Sequence, residues 1–320
     1  MGDLPAQSQS TSATVGDDED ASLVTEIVDT FYKIYGAHPG FRVNHAKGVV
    51  VKGSFVATLA ASALSRAPLF DGSRIPITVR FSNDGGIPTI PDGAPANPKG
   101  MAIKFHMPDG SEAVMVILAV KFFPVATPES FRDLLVAISE SPDDAPKPNR
   151  LDQFAASHPS VPAAFASAGT PDSFAHEVYR GLNAFIFIDK AGNRQAVRYI
   201  MAPEEVVYLN ADEAARKHPD FLIDDLPQRI VKTPVVFHLK AQLAAPGDQT
   251  KDPSQPWPDD RPLVDLGVLT LDTPVPDFLQ VQKNLLFLPI NLPDGIELSD
   301  DRFPVVRSKV YGEAFARRTG

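Results

Sequence analysis

A histidine near the start of the chain is the first candidate for chemistry. His45 lies in the run F-R-V-N-H-A-K-G-V-V-V-K-G-S-F of residues 41–55, with Asn44 directly before it and Arg42 three positions before it. An imidazole changes its charge near neutral pH, so it can act as a general acid or base. A lone histidine is more often an ordinary core residue. The chemical interpretation therefore depends on what the fold brings beside it.

Two further pairs of residues have a spacing that lets them act together. In V-R-F-S-N-D, Arg80 and Ser82 are two apart on a predicted strand, so both side chains face the same side. Near the C-terminus, Arg307 and Tyr311 are four apart on a predicted helix, which places a guanidinium beside a phenolic oxygen and favours the phenolate. Each pair alone could equally be a solvated surface pair.

The spacing of apolar residues predicts the elements that must position these groups. Residues 21–35 have apolar side chains at helical intervals and predict an amphipathic helix. From residue 49 onwards, short β-branched and apolar runs end at Gly, Pro or Asp, which predicts an antiparallel β-barrel. Thr127 and Pro128 begin a capped helix that extends to Glu140.

The second half of the chain contains fewer strands and more loops. Residues 141–173 predict short helices, residues 183–205 a hairpin that turns at 190–193, and residues 233–244 a further strand. Residues 274–320 hold two helix candidates, V-P-D-F-L-Q-V-Q-K-N-L-L-F and P-V-V-R-S-K-V-Y-G-E-A-F-A-R-R. We expect an α+β fold with a disordered tail at residues 1–20.

Composition narrows the classes of protein. Thirty basic against forty acidic residues give a net charge of -10, which disfavours nucleic acid as a partner. The absence of cysteine excludes disulfides, zinc–thiolate and iron–sulfur sites, and thiol peroxidase chemistry. No window reaches the roughly 18 apolar residues of a membrane span, and residues 1–20 lack the pattern of a targeting peptide. We therefore expect no membrane partner and a cytoplasmic location.

Four segments, in this order, resemble the haem catalase family. They are H-A-K-G at 45–48 with Arg42 before it, R-F-S at 80–82, P-D-G-A-P-A-N-P-K-G-M-A-I-K-F at 91–105, and a long block from K-D-P-S-Q-P-W-P at 251 to G-I-E-L at 298, followed by R-x-x-x-Y at 307–311. The resemblance covers residues 35–320 and is to the small catalase-related peroxidases. It implies one catalase-like haem-binding domain over residues 21–320, with no C-terminal flavodoxin-like domain.

The resemblance also implies a haem b cofactor and roles for individual residues. His45 would be the distal general acid and base, with Ser82 bonded to its far nitrogen and Asn44 beside it. Tyr311 would be the proximal iron ligand, with Arg307 against its oxygen. The propionates would be held by Arg42, Arg80 and Arg318, and the ring would pack against Val49–Val51 and one or two of Phe122, Phe123 and Phe131, with Phe123 preferred.

The sequence departs from large catalases in ways that bear on activity. Their N-x-P-x-F-F-x-R run has an asparagine that orients the second peroxide, and we place Ala119 at that position, with Lys121 nearby. We therefore expect a peroxidase that reduces hydrogen peroxide or an organic hydroperoxide with an organic electron donor and has weak catalase activity. The long N-terminal arm of the large enzymes is missing, which favours a monomer or homodimer.

Two alternatives remain open. Asn44 stands where large catalases usually have valine, and catalase-like allene oxide synthases also carry a polar residue there, so a fatty-acid hydroperoxide rearranging enzyme is possible on this sequence. The second alternative is a haem-binding protein without turnover. Retention of both His45 and the Arg307–Tyr311 pair argues against it.

Overall fold

A computed structural model describes residues 12–320, and in that range the chain forms nine α-helices and twelve strands. The helices are α1 (Ser12–Tyr35), α2 (Leu59–Leu64), α3 (Pro128–Ser139), α4 (Arg150–Ser157), α5 (Ser160–Ala166), α6 (Ala211–Arg216), α7 (Phe221–Lys232), α8 (Phe278–Val281) and α9 (Phe303–Thr319). The strands are β1 (Gly48–Ala57), β2 (Arg74–Asn83), β3 (Lys99–His106), β4 (Glu112–Leu118), β5 (Thr170–Pro171), β6 (Tyr179–Arg180), β7 (Phe185–Ile188), β8 (Arg194–Pro203), β9 (Tyr208–Leu209), β10 (Val235–Leu243), β11 (Leu263–Pro274) and β12 (Ile296–Leu298).

Eight strands close into an antiparallel barrel. Their order is β1, β2, β3, β4, β6, β8, β10 and β11, after which β11 pairs with β1 again. Strands β7 and β12 continue the sheet outward from β8. The predicted antiparallel barrel with flanking helices is confirmed.

Strand alternation divides each barrel strand between two environments. In β2, Val79 and Phe81 belong to the apolar barrel core, while Arg80 and Ser82 point to the other face. The register continues this division across the sheet, because Arg80 pairs with Ala102 and Ser82 pairs with Gly100. The outer face of β2, β3 and β4 therefore carries a mixed polar and apolar surface that another layer must cover.

Three helices form that covering layer. One apolar cluster joins the side chains of α1 to those of α3 and α9, including Ile27, Phe31, Leu135, Val306 and Val310. The first two lie on the apolar stripe predicted for residues 21–35, and that helix is confirmed. Helix α3 also begins as predicted, since the Thr127 hydroxyl accepts a hydrogen bond from the Ser130 amide.

The first helix was predicted correctly at its C-terminal end but not at its start. The helix ends at Tyr35 as expected, but it begins at Ser12 and not at residue 21. The predicted disordered tail therefore overlaps α1 at residues 12–20, and its remaining residues, 1–11, lie outside the described part of the chain. No helix in the described residues is long and apolar enough to cross a membrane.

Most predicted elements of the second half are found, and one is much shorter. Strands β7 and β8 form the predicted hairpin around residues 190–193. The predicted helix at 275–287 is a single turn, α8, and the chain after it continues in tighter turns, in which the amides of Lys283, Asn284 and Leu285 donate to the carbonyls three residues before them. Arg42 donates to the carbonyls of Gln282 and Leu285, and Arg318 donates to those of Lys283 and Leu285. The carbonyls that follow α8 thus hold two of the arginines predicted for the site.

Candidate active site

One cavity lies between the outer face of β2–β4 and the layer formed by α1, α3 and α9. It holds about 1740 Å³ of space that protein atoms do not fill, including the part open to solvent. Its walls are mostly apolar. Nine residues predicted to act on or bind a ligand line it: Arg42, Asn44, His45, Arg80, Ser82, Phe123, Arg307, Tyr311 and Arg318.

Contacts at Nδ1 hold the His45 ring in one orientation. Its backbone is left-handed, with φ of 53°. Its Nδ1 lies 2.9 Å from the Asn83 carbonyl oxygen and 3.2 Å from the Ser82 hydroxyl. A carbonyl only accepts, so this geometry assigns the ring proton to Nδ1 and leaves the Nε2 lone pair free. Gly100 makes room for this arrangement, because a Cβ there would lie 2.9 Å from the Ser82 oxygen and 3.2 Å from the imidazole.

The surroundings keep the imidazole neutral. Burial lowers the pKa of His45 below its usual 6.5, and the charges of Arg80 and Arg307 lower it further. The carboxylate of Asp84, whose Oδ1 is 3.5 Å from Nε2, acts in the opposite direction without reversing the shift. At pH 7 His45 can therefore accept a proton at Nε2, as a general base must.

Three guanidiniums lie close together at one part of the cavity wall. Arg42 and Arg318 donate to the carbonyls named above, and Arg80 donates to Gln282 Oε1 at 3.0 Å and to the His45 carbonyl at 2.8 Å. All these acceptors are neutral. Among residues 20–320, whose side chains the structure describes, none of the three pairs with a carboxylate within 4 Å.

The charges of this guanidinium cluster are only weakly compensated. Burial, followed by the charges of Arg80 and Arg318, lowers the pKa of Arg42 well below its usual value. Burial and the charge of Arg318 lower the pKa of Arg80 to about 9. The cluster can bind an anionic group by charge-assisted hydrogen bonds, which would relieve this repulsion.

Tyr311 receives two hydrogen bonds from one cation. The Nη2 and Nε groups of Arg307 donate to its phenolic oxygen at 2.9 Å and 3.3 Å. The guanidinium is itself positioned by Asn183, whose side-chain oxygen accepts from Nη1 at 3.1 Å. Four-residue helical spacing on α9 gives the contact predicted from sequence. Two donated bonds stabilise negative charge on this oxygen, as a metal ligand requires.

Asn44 has an unused polar atom in this cavity. Its side-chain oxygen is buried and has no hydrogen-bond partner among the side chains described, those of residues 20–320, or their backbone. A buried amide oxygen without a partner is costly, so it is a natural contact point for a bound molecule. Phe123 supplies an apolar wall, with its ring centroid 4.7 Å from that of Phe303 and 5.3 Å from that of Phe131.

The structure corrects two of the sequence assignments. Val49 and Val51 belong to the barrel core, and Val50 and Phe122 are also absent from the cavity wall, so none of them can pack on a ligand there. Ala119 also lies in the barrel core, whereas Leu118 lines the cavity. Counting back from the two phenylalanines in N-x-P-x-F-F gives Leu118 as well, so an apolar residue still stands at the asparagine position.

Three polar side chains in or beside the cavity were not assigned to the site from sequence. Asp84 follows Ser82 in the V-R-F-S-N-D segment, and its strand-end position could have suggested it. Tyr35 lines the cavity from the end of α1. Gln282, after α8, lies behind the wall, where its buried side-chain oxygen accepts from Arg80. Nothing in the local sequence pattern indicates the last two, because their contacts join distant parts of the chain.

Comparisons with known proteins agree with this architecture. The family model for catalase matches residues 5–320. A protein named catalase-related peroxidase from Mycolicibacterium paratuberculosis is 38% identical over 300 residues, covering 92% of this chain and 94% of the relative. A protein of the same name from Synechococcus elongatus is 35% identical over 312 residues, with 96% and 92% coverage.

Solved structures show the same fold at low sequence identity. A bacterial catalase has a TM-score of 0.78 at 21% identity, with 98% of this chain and 62% of that chain covered. A fungal catalase gives 0.76 at 21% identity, covering 88% of this chain and 60% of that one. The chain thus spans about 60% of the length of these catalases.

The barrel, its outer cavity and these matches define a haem-enzyme class. The chain belongs to the catalase family, whose members are oxidoreductases that act on peroxide, and membership implies haem. The cavity fits such a group on its own evidence. Among the described side chains, it offers a guanidinium cluster with no acidic partner, a phenolic oxygen that accepts from a cation and an amide oxygen with no partner.

Proposed function

We propose that this protein is a haem b-dependent peroxidase that reduces hydrogen peroxide or an organic hydroperoxide with an organic electron donor, and that its catalase activity is weak. The observation that carries the proposal is the cavity itself, where a neutral His45 with a free Nε2 shares one space with the guanidinium cluster and the Arg307–Tyr311 pair. The names of the two most similar proteins described above support the same activity.

Haem would be held by an anionic ligand at the iron and by cationic side chains at the propionates. Tyr311 would ligate the iron through its phenolic oxygen, and Arg307 would stabilise the ligand's negative charge. Arg42, Arg80 and Arg318 would bind the two propionates, while Phe123 would pack against the ring and exclude water. When bound, haem supplies the iron at which the peroxide O–O bond breaks.

His45 would move the proton that this bond cleavage requires. Its Nε2 would take the proton from one peroxide oxygen and give it to the other, which leaves as water or an alcohol. Asn83 and Ser82 hold the ring so that Nε2, and not Nδ1, faces the cavity. Asn44 can accept a hydrogen bond from the peroxide through its unpartnered side-chain oxygen.

Leu118 is the reason for proposing peroxidase over catalase activity. Disproportionation needs a second peroxide to be oriented in the same pocket, and a leucine offers it no hydrogen bond. One-electron oxidation of an organic donor needs less of that orientation. The reductant, a monomeric or homodimeric state and a cytoplasmic location remain predictions.

A rearranging enzyme of the allene oxide synthase type is the second candidate, and the polar Asn44 beside a largely apolar cavity favours it. The products distinguish the two. With a fatty-acid hydroperoxide and a phenolic donor, a peroxidase yields the fatty alcohol and consumes donor, whereas an enzyme of the allene oxide synthase type yields the allene oxide and water and consumes none. Stoichiometric haem without turnover of any peroxide would leave a haem-binding protein.

A further inference from the structure

Asp84 is the one carboxylate among the residues that line the cavity in the described chain. Its backbone is fixed, since its amide donates to the Pro98 carbonyl at 3.0 Å and to Asn97 Oδ1 at 2.9 Å. Its Oδ1 lies 3.5 Å from His45 Nε2, the nitrogen with the free lone pair. The side chain is 28% exposed, so a small molecule in the cavity can reach it.

The charged and titratable groups around this carboxylate leave His45 as its main partner. Tyr35 of α1 faces it, and burial together with the charge of Asp84 raises the pKa of that tyrosine, which stays protonated. The negative charge of Asp84 also acts on Lys99 of β3, but the Lys99 ammonium donates to the Asp92 carbonyl. Arg80 lies on the other side of His45 and donates to Gln282 and the His45 carbonyl. Among residues 20–320, whose side chains the structure describes, His45 is the only Lys, Arg or His residue with a side-chain nitrogen within 4 Å of the Asp84 carboxylate.

A peroxidase that uses an organic donor must handle protons as well as electrons. One peroxide and two phenolic donors give one alcohol or water, one further water and two donor radicals. Each donor O–H bond breaks, its electron reduces the peroxide-oxidised enzyme, and its proton must be held in the pocket until it leaves in the second water.

We propose that Asp84 is the second proton-holding group of this site, which together with His45 Nε2 accepts the proton of an organic donor that loses O–H or N–H on oxidation. This inference rests on the proposed peroxidase function and names the donor class: neutral aromatic phenols or amines. The carboxylate stabilises a proton on Nε2 and offers a second position for it, so the donor can lose its proton as it loses its electron.

Asp84→Asn tests this role with little change of shape, and two donors separate proton transfer from electron transfer. Guaiacol loses a proton on oxidation, whereas the sulfonated azine dye ABTS loses only an electron. We expect the ratio of the guaiacol to the ABTS rate constant to fall at least tenfold in Asp84→Asn and to recover partly in Asp84→Glu. Asp259→Asn, which removes one exposed acid outside the cavity, should leave the ratio unchanged.

A second readout does not depend on turnover. Fluoride binds ferric haem as an anion, and a proton on the distal base stabilises it. Without the charge of Asp84 the protonated imidazole is less stable, so fluoride should bind about tenfold more weakly to Asp84→Asn at pH 6, and its pH midpoint should move about one unit lower.

The outcomes are distinguishable. An unchanged donor ratio and unchanged fluoride binding in Asp84→Asn, with an active wild type, would overturn the role of Asp84 alone. Equal losses with both donors would also overturn it, since they would indicate a general positioning effect. A haem-loaded wild type that oxidises neither donor would overturn the peroxidase function and this inference with it.

Discussion

Replacing His45 by asparagine isolates its free nitrogen from its structural role. The left-handed backbone at this position, with φ of 53°, is tolerated better by asparagine than by alanine. The Asn side-chain amide can still donate to the Asn83 carbonyl, as Nδ1 does now, but no group remains at the position of Nε2. We expect haem content to be retained, and the rate constant for reaction with peroxide to fall about 10² to 10⁴-fold, the usual loss for a general base and about 3–5 kcal/mol of barrier.

The pH profile gives the same reasoning a second test. Because burial lowers the pKa of His45 below 6.5, the wild type should react at a constant rate at pH 7 and above, and should slow as the pH falls through the folded pKa and the imidazole gains a proton. The variant should show no such transition. The assay is stopped-flow mixing with peroxide while the Soret band is followed between pH 4.5 and 8. A variant rate within threefold of wild type, or a wild-type midpoint above 6.5, would refute the role or the protonation state that we assign.

Four further changes test other parts of the site and fold. Tyr311→Phe removes the phenolic oxygen and should shift or abolish the ferric Soret band; an unchanged spectrum would exclude tyrosinate ligation. Arg42→Gln should weaken haem binding by about 1.5–3 kcal/mol, the value of a charged hydrogen bond, in a competition titration; an equal affinity would place the propionates elsewhere. Leu118→Asn should increase oxygen evolution from hydrogen peroxide, and a fall would contradict our account of the missing asparagine. Burial raises the pKa of Glu177 from 4.5 to about 7, so folding loses stability as pH rises from 4.5 to 7. Glu177→Gln should therefore stabilise the protein at pH 8 by up to about 3 kcal/mol, with no gain at pH 4 in thermal unfolding; equal effects at both pH values would contradict the ionisation argument.

Local periodicity predicted much of the fold because it depends only on neighbouring residues. The outward direction of Arg80 and Ser82 follows from alternation on one strand, and the Arg307–Tyr311 contact follows from one helical turn. The same alternation could have corrected the asparagine position. Leu118 pairs with Gly100, which pairs with Ser82, so the three share the outer face, whereas Ala119 faces inward.

The parts that the sequence did not predict depend on long-range contacts. The carbonyls that follow α8 accept from Arg42 and Arg318, which are about 240 and 35 residues away along the chain. Asp84 lies two residues after Ser82 in the sequence, but its approach to His45 Nε2 depends on the left-handed backbone at His45. No periodic pattern contains that information, because it arises only when the loop before β1 meets the end of β2.

The guanidinium cluster connects the site to the stability of the fold. Lowering the pKa of Arg80 from 12.5 to about 9 means that the charged side chain costs the folded state on the order of 5 kcal/mol at neutral pH. The hydrogen bonds to Gln282 and the His45 carbonyl are already part of that balance, and a hydrophobic residue would avoid the cost. Three such residues at one wall stabilise the folded protein only when an anion binds beside them. The dianionic edge of a haem meets that requirement, and its binding energy would then be partly the release of repulsion already present in the folded protein.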